Sequence, residues 1–295
     1  MKGLVIAVIA LVLPAAVQAE SLPVRLKDGA TWAISGTHVR DGVGARAQKW
    51  TLKTVKTLVW SAPKTGQGAR LTVNPVSATV GPVSPPEVPR ARSLGIPAVV
   101  EVDDALNPGA AVNVDEVRAA FQEVLGRDIR GSEALADAAA HAMIASELAW
   151  AARGQGGELA LGKTIETDGV VENPIGGPPI KVRDSYRLES YDATAGRAVI
   201  IWRQAADSAA FAKDIVASMA ERMKSTTPSL KPEAIQAALR GASGTLESNC
   251  RHEIDLATGL ALRADCRTTN AITIQGETRG TTDTWTITQT LPEPR

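Results

Sequence analysis

Three β-patterned runs follow one another near the C-terminal end of the chain: Gly244 to Asp255, Leu260 to Gln275 and Glu277 to Thr290. Only a few residues separate them. A parallel pairing needs a crossover of about a dozen residues or more, so these runs must pair antiparallel as a meander. Trp285-Thr-Ile-Thr-Gln-Thr-Leu291 alternates cleanly, which gives the strand one buried and one wet face. That constraint sets the reading of everything upstream.

The same pattern recurs toward the N-terminus. Leu26 to Arg40, Trp50 to Trp60, Ala69 to Val80 and Ala98 to Val102 read as strands. In the second of these, Trp50, Leu52, Leu58 and Trp60 line one face, and Lys56 interrupts the stripe. Residues 81–97 hold five prolines and read as a stiff loop outside any central ladder. Helical spacing follows. Asn113-Val-Asp-Glu116 resembles a capping box, and Ser132 can cap an Ala-rich helix running to about Arg153. Glu158 to Val171, Ile180 to Tyr191 and Arg197 to Arg203 return to strand. Phe211, Ile215, Met219 and Met223 then recur at helical spacing, the methionines reading as core packing. Pro232 opens a short helix that Gly241 closes. Strand groups with helices set between them predict an α+β fold, not a doubly wound parallel sheet. The expected organisation is a signal segment 1–19, a lobe over 20–155 and a related lobe over 156–295, built as one continuous unit.

The first residues, MKGLVIAVIALVLPAAVQAE, have a basic start, an apolar run and small residues before a cut between Ala19 and Glu20. The run is short for a membrane span. No Cys lies near the cut, which argues against a lipid anchor. The expectation is a periplasmic or secreted protein without a stable membrane span after processing. Export permits a disulfide. Cys250 and Cys266 sit symmetrically about the Thr258-Gly259 turn, so a hairpin folded there brings them opposite each other or one residue off, close enough for a bridge. Two free buried thiols are the alternative.

Composition removes several functions. Lys and Arg total 32 against 32 Asp and Glu, without the basic excess that a nucleic-acid surface needs. Two Cys and three His leave no multi-cysteine zinc site. Ser61-Ala-Pro-Lys64 runs into Lys64-Thr-Gly66, but a shared lysine does not fit the separated motifs of penicillin-binding enzymes, and the stretch reads as a hairpin loop. His38 reads as a strand residue near the surface, His141 with Asp137 as one helix face, and Asp103-Asp104 as a solvated strand end. No cofactor motif and no catalytic set emerge, so a non-enzyme is expected. Aromatics are 3% of the chain, and Trp outnumbers Phe and Tyr together. Trp32, Trp50, Trp60, Trp202 and Trp285 fall on strands and Trp150 on the Ala-rich helix. They could wall an apolar pocket or fill core gaps left by Ala.

The export segment, long antiparallel meander, interposed helices and the Asp255-Leu-Ala-Thr-Gly-Leu260 hairpin together resemble the half-barrel periplasmic carrier proteins. The resemblance is at the level of architecture. It implies a curved, half-barrel-like antiparallel sheet over helices, with an apolar cavity for a lipid or another hydrophobic ligand. The competing expectation is an envelope interaction or scaffold module that captures a partner protein through the proline-rich loop 81–97. A hydrolase using His38 or Ser61 is the third reading.

Overall fold

The computed structural model describes residues 19–44, 47–65, 67–82, 97–117, 119, 147–155, 158–171, 173, 178–227, 229 and 231–291. All but the last residue of the expected export segment, most of the proline-rich loop, the pair Asp137 and His141 and the greater part of the run expected as an Ala-rich helix lie outside them.

Thirteen strands are described: β1 Ala19–Ser21, β2 Thr31–Val43, β3 Lys49–Ser61, β4 Ala69–Gly81, β5 Ala98–Val102, β6 Pro108–Ala111, β7 Glu158–Ala160, β8 Thr164–Val171, β9 Ile180–Asp192, β10 Arg197–Ala205, β11 Ser243–Asp255, β12 Ala261–Ile274 and β13 Glu277–Thr290. Helix α1 covers Ser208–Thr226 and α2 Pro232–Leu239. Residues 147–152 are also helical. Asp207 caps α1 by accepting the Ala210 amide at 2.8 Å. Pro232 sits in the first turn of α2, where its missing N–H costs nothing.

Eleven strands form one open, wholly antiparallel sheet in the order β6-β5-β4-β3-β2-β13-β12-β11-β10-β9-β8. Each half of the chain is a meander. The two are zipped together where β2 pairs with β13, from Gly280↔Val43 to Thr290↔Ala33. Strands from 20–155 and from 156–295 therefore share one sheet. Register shifts at Val55/Lys56, Val100/Val102, Val199/Ile200 and Glu253/Ile254 bend it, because an extra residue on one strand increases local twist. The expected α+β fold, a curved antiparallel sheet over helices, is the fold found.

One face of the sheet is buried, carrying Trp32, Ile34, Leu58, Leu71, Ile200, Trp202, Cys250, Ala264 and Ile287. Leu148 and Ala151 of the helical residues and Leu22 and Leu26 of the N-terminal segment close over it. A second cluster lies farther along, where Phe211 and Ile215 of α1 meet Ile180 and Val182 of β9. Gly244 makes that seat possible, since a Cβ there would stand 2.5 Å from the Phe211 ring.

Three element boundaries differ from expectation. The first strand begins at Thr31, after an Asp28-Gly29 turn with Gly29 at φ +78°. Residues 22–27 before it are not strand; two of their side chains are core instead. The run 158–171 breaks around Gly162, at φ +74°, and its first piece pairs with β1 in a separate two-stranded sheet. Pro108–Ala111 is an edge strand that its Pro and Gly concealed.

Candidate ligand-binding site

Four of the six tryptophans are linked by ring contacts in a line along the inner face. Trp202 on β10 meets Trp150 edge-on at 5.8 Å between centroids, and Trp150 meets Trp285 on β13 at 6.4 Å. His38 on β2 stacks on Trp285 at 3.6 Å and meets Trp50 on β3 edge-on at 4.6 Å. Trp32 donates its indole N–H to Gln289 at 2.6 Å, and Trp202 donates to Asp184 at 2.9 Å. Trp60 is half-buried against the same core. Each ring is placed by the inward side of its strand, even-numbered on β2, β3 and β10 and odd-numbered on β13, or by the helix facing it.

His38 is buried, contrary to the surface position expected for it. It donates Nε2–H to Asp283 at 2.6 Å, and Arg40 grips the same carboxylate at 2.7 and 3.1 Å. Burial pushes the Asp283 carboxyl up, but these bonds overcome it and hold the group at about 2. The lysine that breaks the β3 stripe has a similar explanation. Lys56 points inward and donates to Glu147 at 2.6 Å, while Thr54 bonds the other carboxylate oxygen. Burial disfavours the ionised Glu147, yet Lys56 and Thr54 more than offset that and its pKa falls. Gly36 on β2 leaves room for Glu147; a Cβ there would lie 2.5 Å from its Cγ. Helix and sheet are thus pinned by charge as well as by apolar contact.

Cys250 and Cys266 are cross-strand partners with Cα atoms 4.0 Å apart, and they form the expected disulfide. His252, two residues on, donates Nε2–H to the Trp150 carbonyl at 2.8 Å. Burial pushes its pKa down to about 4, so the ring is neutral at neutral pH and ties β11 to the helix end. The two sulfurs and His252 would satisfy a three-ligand geometry, but both sulfurs are consumed by the bridge.

The remaining expected motifs are structural. Ser61 ends β3, and Lys64 pairs with Gln67 across the hairpin loop. Asp103 accepts the amides of Ala105 and Asn107 and the Asn107 side chain, which makes it a turn former. Ala19 and Glu20 lie in β1, opposite Ala160 and Leu159.

Among the described residues, three cavities are lined by residues other than the tryptophans. A depression of about 640 Å³ lies on the outer face of β10–β13, where Arg203, Arg251 and Arg267 alternate with Glu247 and Asp265. Its mixed charge suits solvent. A space of about 280 Å³ opens beside the helix end at Arg153 and Gln155. The third, about 510 Å³, lies between α1, α2 and the β12–β13 hairpin. Met219, Met223, Ala238, Leu239, Ile272 and Ile274 form its walls, and Gln275, Glu277 and Arg279 stand at the turn. The i, i+4 methionines expected as core are half-buried: Met219 packs against the Phe211–Ile215 cluster, and both line this groove. The sequence showed the methionine spacing, but not that α2 would flank it and leave a gap.

No family model matches the chain. No curated protein matches it either. Among solved structures, a lipovitellin structure described by its lipid–protein interactions aligns over 91% of this chain and 26% of its own, with 10% identity and a TM-score of 0.48. DynF of the dynemicin biosynthesis pathway of Micromonospora chersina aligns over 95% and 92%, with 8% identity and a TM-score of 0.20. This chain thus spans about a quarter of the lipovitellin chain.

Proposed function

We propose that this protein is a non-catalytic carrier that holds the acyl chain of a lipid, outside the cytosol, in the groove between α1, α2 and the β12–β13 hairpin. The observation that carries the reading is the groove itself. About 510 Å³ of space with six apolar lining residues falls in the range of small-ligand sites, and it is left open to solvent between elements that otherwise pack closely. Two methionines suit a chain of variable shape, since their unbranched side chains adapt to what lies beside them. Each methylene buried there contributes roughly 0.8 kcal/mol. Gln275, Glu277 and Arg279 would meet the polar end of the ligand at the turn. The buried disulfide supports an oxidising compartment. Among the described residues no helix is long and apolar enough to cross a membrane.

Titration with a dansyl-labelled fatty acid tests the assignment. Saturable binding with a blue-shifted emission is expected, displaced by unlabelled palmitate. Ile274 is half-buried at the groove, so Ile274→Glu should leave the fold intact and weaken binding by roughly tenfold or more, because a carboxylate would have to be desolvated against the chain. Absence of saturable binding, or equal affinity in the variant, would remove the groove as the site.

A further inference from the structure

The smaller cavity, of about 280 Å³, has a different chemistry. Arg153, at the end of the helical residues, lies with its guanidinium 4.3 Å from the Trp202 ring and 5.0 Å from the Trp150 ring. Both distances are within the range of a cation–π contact. Among the described residues it makes no ion pair. Asp184, the carboxylate whose charge it feels, is instead occupied by the Trp202 indole at 2.9 Å and the Gln204 amide at 3.0 Å. Two residues on, Gln155 also lines the cavity. It is only 7% exposed, and among the described residues neither its amide nitrogen nor its amide oxygen has a hydrogen-bond partner. A buried amide left unpaired is costly, so natural chains seldom keep one without a use. Tyr186 lines the space with them, and Leu159, Ile165 and Ile200 give it an apolar side. Glu158 brings one negative charge to the lining.

We infer that this cavity is a second binding site, for a small organic monocarboxylate that carries an amide and an apolar end. The planar guanidinium, held by two indole rings, presents paired N–H donors in the geometry a carboxylate accepts. Gln155 offers one donor and one acceptor, the complement of a secondary amide. The space amounts to roughly nine water volumes, which fits an acylated amino acid or the last residue of a peptide and not a folded partner. A monoanion is selected over phosphate, because a single arginine cannot neutralise two charges and Glu158 repels the second. This site shares no lining residue with the α1–α2 groove, so it stands or falls independently of the carrier reading.

Calorimetric titration of the whole protein, paired with tryptophan emission, decides it. The probes are N-acetyl-leucine, its neutral carboxamide, sodium hexanoate and inorganic phosphate. N-acetyl-leucine should bind saturably and perturb the emission, through Trp150 and Trp202 beside Arg153. Hexanoate should bind more weakly, since it lacks the amide, and the carboxamide and phosphate should not compete. Arg153→Gln should weaken N-acetyl-leucine by roughly tenfold or more, the usual effect of losing a charge-assisted pair. Gln155→Leu should bring N-acetyl-leucine down to the affinity of hexanoate. No saturable binding of either carboxylate would overturn the site. So would equal binding of the carboxamide to the wild-type protein, a comparison that needs no variant to fold.

Discussion

At the residue scale, the inner face of this sheet tolerates charge wherever a partner from another element arrives with it. Lys56, Glu147, His38 and Asp283 are all nearly inaccessible, yet each carries at least one short hydrogen bond across elements. Such pairs are expensive to break singly, because the survivor stays buried. His252 belongs with them, but its preference is for neutrality. Its pKa in the fold, about 4, lies below the ordinary 6.5, so the unfolded chain binds the proton more readily. The stability it supports is complete above pH 6.5 and is lost as the pH falls from there to about 4. Urea unfolding across that window should show a loss on the order of 3 kcal/mol that His252→Gln flattens. A variant whose slope matches the wild type would show that His252 is not the group responsible. Little of this was legible in the sequence. Lys56 stood out as a flaw in an apolar stripe, but nothing local named Glu147, which lies on a helix distant in the chain. His38 read as superficial because a strand alternation does not reveal which face will be covered at its end.

At the scale of the element, the β11–β12 hairpin is the part the sequence specified best. Asp255 accepts the amide and the hydroxyl of Thr258 at 2.9 and 2.8 Å, and Arg197 donates to it at 2.6 Å. Gly259 takes φ +73° and lies so close to Pro23 that a Cβ would stand 2.2 Å from its carbonyl oxygen. Turn and close approach both require glycine there. The turn pairs Ile254 with Ala261, and the bulge at Glu253/Ile254 then shifts the ladder by one residue so that Cys250 lies opposite Cys266; near-symmetry about residue 258 was enough to suggest the pair. With a sequence separation of 16 between the two cysteines, the bridge should contribute roughly 3 kcal/mol by restricting the unfolded chain. The double variant Cys250→Ala, Cys266→Ala should lower the unfolding free energy by about that amount while keeping its far-ultraviolet circular dichroism. Unaltered stability would mean the hairpin is closed by its turn and neighbours alone. Long strands were readable from their period of two, whereas β1 and β6 were not, being three or four residues long and defined by their partners.

At the scale of the molecule, the decisive contact is the pairing of β2 with β13, which joins strands from opposite ends of the chain. It turns two meanders into one sheet of eleven strands. Each meander is local and was predictable. Their junction is not, because any strand with one apolar face could have met another. The sheet remains open, its edges formed by β6 and β8, and helices from two parts of the chain settle on its inner face. The tryptophans fix that face with packed rings, and α1 and α2 leave beside it the groove assigned here to an acyl chain. The most direct measurement is native mass spectrometry of the protein purified without detergent from the cells that make it. A discrete lipid adduct, released on mild activation and depleted in Ile274→Glu, is the expected result. A bare protein mass under the gentlest conditions, unchanged after incubation with phospholipid vesicles, would contradict the carrier function.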